Sequence, residues 1–141
     1  MAVRTIIFRG KRIDNGEWVE GAYMPYYYST RYGKVAAIFT NDDVLCKTYR
    51  YPVDPSTVGQ YTGLKDKDGN RIFEGDIVRC GTGRICKVTF FISTGFSGFD
   101  LVPVGNFDAP PPYNWSLFSD IEIIGNIHDN KSLLNNQEAG E

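Results

Sequence analysis

The stretch Gln60–Arg79, QYTGLKDKDGNRIFEGDIVR, decides the fold class of this chain. It contains two clusters of glycine and carboxylate residues, Asp66–Asn70 and Glu74–Asp76, and residues typical of β-strands flank both clusters. Three interpretations follow from this composition. The stretch is a metal-binding loop, a pair of catalytic carboxylates, or the turns of a small β-protein.

The first cluster resembles a calcium loop only in part. An EF-hand loop requires acidic ligands at positions 1, 3 and 5, glycine at 6 and glutamate at 12. Counted from Asp66, position 6 is Arg71 and position 12 is Ile77. A two-residue turn at Asp68 and Gly69 instead places Asp66 opposite Arg71 in a hairpin. We therefore predict a turn without metal, in which the Asp66 side chain contributes little to stability.

The second cluster, Glu74-Gly75-Asp76, could hold paired carboxylates for acid–base catalysis, but the sequence indicates neither a partner group nor a pocket. We interpret it as a turn in which Gly75 has a positive φ and Asp76 accepts hydrogen bonds from nearby main-chain amides. His128 is the only histidine, which leaves little material for a histidine metal site or a catalytic triad. We predict no catalytic residue, no metal and no cofactor.

The overall charge narrows the function classes. Fifteen Lys and Arg against seventeen Asp and Glu give a formal net charge of −2, which does not favour a general nucleic-acid binder or a membrane-surface protein. The N-terminus has too short an apolar run before Arg9 for a secretory signal, and no run reaches transmembrane length. The sequence predicts a cytoplasmic protein that does not bind membranes.

The three cysteines are an odd number without a CxxC pair, which indicates reduced thiols. Cys80 and Cys86 flank a glycine-containing turn. If Thr82 and Gly83 are the two turn residues, Cys80 lies opposite Ile85 and the two thiols point to opposite faces of the hairpin. We therefore predict no disulfide.

The rest of the chain consists of short strand-like runs between glycine-rich turns. In the first hairpin, Asn15 and Gly16 predict a type I′ turn, which places Ile13 opposite Trp18. Further runs follow in the tyrosine-rich and central segments. No long amphipathic helix is indicated, so the predicted fold class is all-β with little or no helix.

Prolines mark the predicted boundaries. Pro52 and Pro55 are expected to end a strand, and residues 54–61 could hold one helical turn. A triple proline predicts a long loop at 103–115. We expect an N-terminal antiparallel sheet packed beside a small SH3-like barrel. The predicted regions are N-terminal hairpins at 1–51, the barrel region at 52–130 and a flexible tail at 131–141.

Tyrosine is unusually concentrated after the first hairpin. The rings could form a stacking platform for single-stranded nucleic acid, a protein-binding patch, or a strand whose alternate residues fill the core. Basic residues are sparse near the cluster, which weakens the nucleic-acid interpretation. If the segment is an interaction surface, we expect it to comprise Trp18, Tyr26, Tyr27, Tyr28 and Tyr32.

Several segments resemble the YopX-like family of phage and prophage proteins. The central one is Val58–Gly69 followed by Ile72–Val78, and the closing one is Glu122–Asn130. The opening segment Ile7–Lys11 resembles one N-terminal form of the same family. The resemblance implies a phage or prophage gene product of predominantly β structure, with no established activity and no catalytic residues to carry over.

Two functions remain open at this point. The first is a non-enzymatic module that binds a host or phage protein through the tyrosine-rich surface or the long loop. The second is a nucleic-acid-binding accessory protein that uses Arg79, Arg84 and Lys87 of the barrel region. We also expect a homo-oligomer built partly on residues 13–32, because self-association commonly covers exposed strand edges and apolar faces.

Overall fold

The computed structural model describes residues 4–81, 83–105 and 120–139. The chain forms two compact units, of which the first ends at Gly63 and the second begins at Leu64. The secondary structure is nearly all β, which confirms the predicted fold class. In chain order the elements are β1 (Phe8–Arg12), β2 (Trp18–Ser29), β3 (Gly33–Asp42), β4 (Lys47–Lys65), β5 (Arg71–Phe73), β6 (Asp76–Arg79), β7 (Ile85–Ser93), β8 (Phe96–Pro103), β9 (Glu122–Asn126) and α1 (Ser132–Ala139).

In the first unit, β1 to β4 form a closed ring of antiparallel pairs. β1 pairs with β2 on one side and with β4 on the other, and β3 pairs with both β2 and β4. The 19-residue length of β4 makes this closure feasible, because its first part follows β3 and its later part follows β1. Ile38 and Val53 pack inside the ring with partly buried side chains of β1 and β2. The predicted N-terminal hairpins are present, but the sequence did not indicate that they close on each other.

Gly21 permits the close approach of β2 and β3. A Cβ atom at this position would lie 2.1 Å from the main-chain oxygen of Phe39, which is far inside van der Waals contact. Every residue other than glycine would therefore push the two strands apart at this point of the ring.

The register of the first hairpin differs from the predicted one. Lys11, and not Ile13, lies opposite Trp18. A type I′ turn requires a positive φ at both central residues, and Gly16 has one (73°) whereas Asn15 does not. Asn15 instead accepts, through its side-chain oxygen, the main-chain N–H two residues later at 2.9 Å. The predicted turn was wrong, but a shift by two residues leaves every side chain on its predicted face.

β4 continues through both prolines, so the predicted helical turn was wrong. The Pro52 carbonyl accepts a hydrogen bond from the Ile13 N–H at 3.1 Å. Pro55 lies where the pairing of β4 with β1 shifts register, and a bulge tolerates a residue that lacks an N–H. Asp54 Oδ1 accepts the Ser56 N–H at 3.0 Å within this irregular part. The division predicted after residue 51 falls inside this strand.

The second unit contains an antiparallel sheet in the order β8-β7-β6-β9, and β5 pairs with β4. One buried cluster joins these strands and comprises Ile72, Val78, Cys80, Cys86, Val88 and Leu101. Among the described residues, β6 to β9 pair as an open sheet. The described pairings do not include one that closes this sheet into the SH3-like barrel predicted for residues 52–130. Beyond Gly105, the predicted loop 103–115 lies outside the described residues.

The hairpin after β4 has a three-residue turn and not the predicted two-residue turn. The Asp66 N–H donates to the Asn70 carbonyl at 2.8 Å, and the Gly69 N–H donates to the Asp66 carbonyl at 3.0 Å. Gly69 has the expected positive φ (86°), whereas Asp68 does not. This is the arrangement of a type I turn followed by a G1 bulge. Asp66 therefore lies opposite Asn70, one residue away from the predicted partner Arg71.

The interpretation of Glu74–Asp76 as a turn is confirmed. Gly75 has a φ of 93°, and Asp76 Oδ2 accepts the Phe73 N–H at 2.7 Å. Asp76 is buried, so this hydrogen bond satisfies part of a carboxylate that burial would otherwise destabilise. The carboxylate helps to fix the entry into β6.

The prediction that the Cys80 and Cys86 thiols point to opposite faces was wrong. Val78 lies opposite Cys86, and Cys80 follows Val78 by two residues, so the two thiols share the buried face. The turn again has the three-residue form, since the Gly83 N–H donates to the Cys80 carbonyl at 2.8 Å. Thr82, which the prediction placed in the turn, lies outside the described residues. Both thiols are free.

The predicted flexible tail contains the helix α1, from Ser132 to Ala139. Leu133 packs close to β9, because a Cβ atom at Gly125 would lie 3.0 Å from its Cδ1. Asn130 Oδ1 accepts the Asn126 N–H at 3.1 Å and fixes the approach to the helix. The predicted tail region therefore contains helical structure at residues 132–139. Within the part of the chain that the structure describes, no helix is long and apolar enough to span a membrane.

Candidate protein-binding surface

The tyrosine-rich segment forms the hairpin of β2 and β3, and the structure divides it between core and surface. Tyr23 belongs to the interior of the ring of strands, with its ring centroid 5.5 Å from that of Phe8. Tyr26 is 70% exposed, Tyr28 is 75% exposed and Tyr32 is 38% exposed. Three of the predicted binding residues are therefore available at the surface.

The other two predicted binding residues are partly covered. The Tyr27 ring lies edge-on to Phe39, with centroids 5.5 Å apart. The Trp18 ring lies beneath two cations, since Arg9 Cζ is 4.7 Å and Lys11 Nζ is 5.7 Å from its centroid. Both aromatic side chains are half-buried. They therefore have less side-chain surface available for a partner than the three exposed tyrosines.

A groove opens beside Tyr26, at the place where β3 and β4 part. Ala36 and Val53 form the last described pair of these two strands. Beyond them, residues 33–35 pair with β2, while β4 turns away to follow β1. The space between the parted strands has a volume of about 520 Å³ and reaches the interior, because Ala36 and Val53 line it.

The walls of the groove are largely apolar. Ile13, Pro25, Tyr26 and Pro55 line it, and among the described residues Lys34 is the only charged side chain that does so. Lys34 Nζ lies 4.7 Å from the Tyr26 ring centroid. An apolar cavity with one fixed cation suits a ligand that has an apolar body and an anionic group.

Sequence reasoning found Tyr26 but missed the rest of this groove. Pro25 and Pro55 were the best available signal for the groove in the sequence, because a proline inside a strand-like run indicates a bulge or an edge. Pro25 lies where the register of β2 shifts between Met24 and Tyr27. Ile13 comes from the turn after β1 and Lys34 from β3, and only the closure of the ring places them beside Pro55.

Cation–aromatic contacts recur in the first unit. In addition to the contact between Lys34 and Tyr26, Arg12 Cζ lies 4.5 Å from the Tyr51 ring centroid, and Arg50 Cζ lies 5.7 Å from that of Tyr27. Lys34 was expected near the tyrosine cluster from the sequence, and the structure adds Arg50. Neighbouring strands supply the cations, and distances along the sequence do not show this.

The Asp66 carboxylate has a structural role in its turn. Its Oδ1 accepts the N–H groups of Asp68 and Asn70 at 3.0 and 2.8 Å, and its Oδ2 accepts the Ile123 N–H at 3.3 Å. Burial alone would raise the pKa of Asp66, but the hydrogen bonds from Asn70 and Ile123 outweigh it, so the pKa is lowered. Main-chain donors thus occupy the oxygens that a calcium loop would offer to an ion.

The buried thiols are poor nucleophiles. Burial and the neighbouring Cys80 raise the pKa of Cys86 to about 12, and burial also raises the pKa of Cys80. A thiol attacks as the thiolate, which neither cysteine forms readily at neutral pH. Among the described residues, no group of three or more His, Cys, Asp and Glu side chains is placed to hold a metal ion.

The basic residues predicted for nucleic-acid binding do not form one patch. Arg79 Nη1 lies 3.5 Å from a Glu122 carboxylate oxygen, and Arg79 shares a face with Lys87. Arg84 lies near the two thiols, and its charge partly opposes the burial that raises their pKa values. The three cations are therefore divided between two faces, and Arg79 is paired with Glu122.

Comparisons with known proteins give a family and a similar solved structure. Residues 7–135 match the family model that is described as YopX protein. No curated protein matches the chain significantly. Among solved structures, the crystal structure of protein EF1440 from Enterococcus faecalis is similar, with 22% identity, a TM-score of 0.49 and coverage of 94% of this chain and 99% of that chain. The family match extends over most of the sequence and confirms the resemblance, so the chain belongs to the YopX protein family.

Proposed function

We propose that this protein is a phage-encoded accessory protein that acts as a non-enzymatic protein-interaction module in the cytoplasm of the infected or lysogenic host. Its binding surface comprises the apolar groove and the exposed rings of Tyr26, Tyr28 and Tyr32. Membership of the YopX family supports the phage-type role. The surface of the first unit supports the interaction role.

One observation carries the proposal. Tyr26 and Tyr28 are 70% and 75% exposed beside a groove with apolar walls. Tyrosine is enriched among the residues that dominate binding energies, because it offers a large contact area and loses little conformational entropy. Apolar grooves with exposed aromatic rims commonly mark interaction sites.

The polar groups of the second unit support a non-enzymatic role. Asp66 and Asp76 are engaged by main-chain donors, and Lys67 Nζ lies 3.2 Å from a Glu122 carboxylate oxygen. The raised pKa of Cys86 disfavours its thiolate. These groups hold turns and sheet pairs together, and their arrangement resembles neither an acid–base pair nor an activated nucleophile.

Photo-crosslinking in phage-infected host cells tests the proposal. Benzoylphenylalanine is placed at Tyr28, and in a matched variant at Ile92, which is equally exposed (75%) but belongs to the second unit. We expect a discrete crosslinked protein from Tyr28 and not from Ile92. Its identity follows from mass spectrometry, and purified components must reproduce the binding. The same products from both positions, or none from Tyr28, would reject the proposed surface.

Nucleic-acid binding is the second candidate, and the cation–aromatic contacts of the first unit favour it. Arg12, Lys34 and Arg50 each lie over a tyrosine ring, and basic and aromatic side chains together suit single strands. However, a cation already covers one face of each ring. Anisotropy of a labelled single-stranded oligonucleotide separates the two candidates. Affinity that falls steeply with salt indicates phosphate contacts and would favour this candidate.

A further inference from the structure

The groove beside Tyr26 also indicates what kind of protein segment would bind there, and this inference rests on the proposed function. Its volume of about 520 Å³ lies within the roughly 300–1,000 Å³ of small ligand sites. Pro25, Tyr26 and Pro55 give it aromatic and prolyl walls. Walls of this kind accept apolar or proline side chains of an extended chain.

The charge of the groove favours an acidic occupant. Lys34 is exposed, and its described contact at the groove is with the Tyr26 ring. Asp54, whose Oδ1 accepts hydrogen bonds from the Ser56 N–H and Oγ at 3.0 and 2.8 Å, is not among the described side chains that line the groove. Residues 1–63 contain eight Lys and Arg against six Asp and Glu, which leaves a formal charge of +2 on the first unit.

The main chain of β3 provides an edge at the same place. Residues 33–35 pair with β2 on one side, and the described pairing with β4 on the other side begins only at Ala36. An extended segment that lies along this edge can form main-chain hydrogen bonds, as in the addition of a strand to a sheet. Lys34 and Val35 line the groove as well, so the edge and the cavity belong to one site.

We propose that this groove binds an extended protein segment in which an aspartate or glutamate adjoins an apolar or proline side chain. The apolar side chain enters the space between Pro25 and Pro55, the carboxylate pairs with Lys34, and the segment's main chain follows residues 33–35. A nucleic acid fits less well, because phosphate binding draws on several cations and the described lining has one.

Selection from a random peptide library displayed on phage, with the full-length chain immobilised, tests this. We expect enrichment of peptides with an acidic residue next to proline or an aliphatic residue. Lys34→Glu should weaken a selected peptide by at least about fivefold and, in a new selection, should shift the preference toward basic peptides. Lys47→Glu is the matched control, because Lys47 is also exposed in the first unit but lies at the far end of β4, and it should leave the affinity unchanged.

Two further variants test the groove itself. Tyr26→Ala removes one wall and should weaken the peptide about tenfold or more, whereas Tyr26→Phe should retain binding, and melting curves check that both variants fold. Enrichment without a charge preference, or an unchanged preference in Lys34→Glu, would overturn this inference. If crosslinks at Tyr28 still identify a protein, the proposed function survives that failure. If selected peptides dissociate an oligomer of the chain, the occupant is a second copy, which also overturns it.

Discussion

The Asp66 carboxylate connects two distant parts of the second unit, because its Oδ2 accepts the Ile123 N–H at 3.3 Å. Its Oδ1 accepts the Asn70 N–H at 2.8 Å and thereby closes its own turn. A residue that resembles a calcium ligand in sequence therefore fixes a hairpin to the last strand of a sheet. These hydrogen bonds argue against the expectation that the Asp66 side chain contributes little to stability.

We expect Asp66→Ala to lower the free energy of unfolding by about 2–4 kcal/mol, because three main-chain donors lose their acceptor in part-buried hydrogen bonds. Urea denaturation measures the change. Asp68→Ala is the matched control, since Asp68 is exposed in the same turn, and it should cost no more than about 0.5 kcal/mol. Equal effects of the two substitutions would show that the Asp66 hydrogen bonds are not stabilising.

The lowered pKa of Asp66 predicts a specific dependence of stability on pH. A carboxyl group whose pKa is lower in the folded state stabilises the protein fully above its unfolded value, which is 3.8. This contribution is lost as the pH falls through the lower folded value. The difference in unfolding free energy between wild type and Asp66→Asn should therefore shrink below about pH 4. A difference that stays constant down to about pH 2 would contradict the assignment.

The sequence predicted the fold class and the positions of most turns because glycine, asparagine and aspartate mark turns locally. The positive φ at Gly69 and Gly75 follows from those residues alone. Turn length is less local. Asp66 and Cys80 each begin a three-residue turn where a two-residue turn was predicted. The two turn lengths could not be distinguished from the sequence, because a type I turn with a bulge and a type I′ turn suit similar sequences. The longer turn shifts the strand register by one residue from the predicted one, so the thiols of Cys80 and Cys86 lie on the same face of the hairpin.

The closure of β1 to β4 into a ring could not be predicted from the sequence. Val53 pairs with both Ala36 and Arg12, and nothing in its neighbours along the chain indicates two partners. The groove depends on this closure, since the separation of β3 from β4 after Val53 opens it. Tyr26 was predicted as a binding residue from composition, whereas Lys34 and Pro55 required the ring of strands.

Gly21 should be among the least tolerant positions of the first unit. Gly21→Ala places a Cβ 2.1 Å from the Phe39 oxygen, so the strands must separate, and we expect a loss of about 1–3 kcal/mol or more. Thermal unfolding by circular dichroism measures it. Gly98→Ala is the control, because a Cβ at Gly98 would meet its nearest atom, on Phe96, at an ordinary 3.5 Å. A Gly21→Ala variant as stable as wild type would mean that β2 and β3 do not approach as described.

The three thiols should react with an alkylating reagent at very different rates. Cys46 is exposed, whereas Cys80 and Cys86 are buried, and burial together with Cys80 raises the pKa of Cys86 to about 12. We expect iodoacetamide to modify Cys46 first at neutral pH, and the other two only after unfolding. Mass spectrometry of peptides from native and denatured protein follows this order. In Cys46→Ser, the fast phase should be absent, and its persistence would indicate an accessible thiol in the second unit.

Self-association through residues 13–32 is the last prediction. Ile13 is 41% exposed and Tyr28 is 75% exposed, and such apolar surface is commonly covered by a second copy. Trp18→Glu is an informative variant, because its carboxylate would lie near Arg9 and Lys11, which now contact the indole ring. The monomer should therefore tolerate the substitution, and Trp18→Phe should leave association intact.

Light scattering on the purified protein measures the outcome. We expect a mass above the 15.9 kDa of one chain for wild type and for Trp18→Phe, and the mass of one chain for Trp18→Glu. A native circular-dichroism spectrum and a cooperative melting transition in Trp18→Glu would show that loss of the interface, and not unfolding, causes the dissociation. A wild-type protein that stays at 15.9 kDa as its concentration rises would remove the prediction.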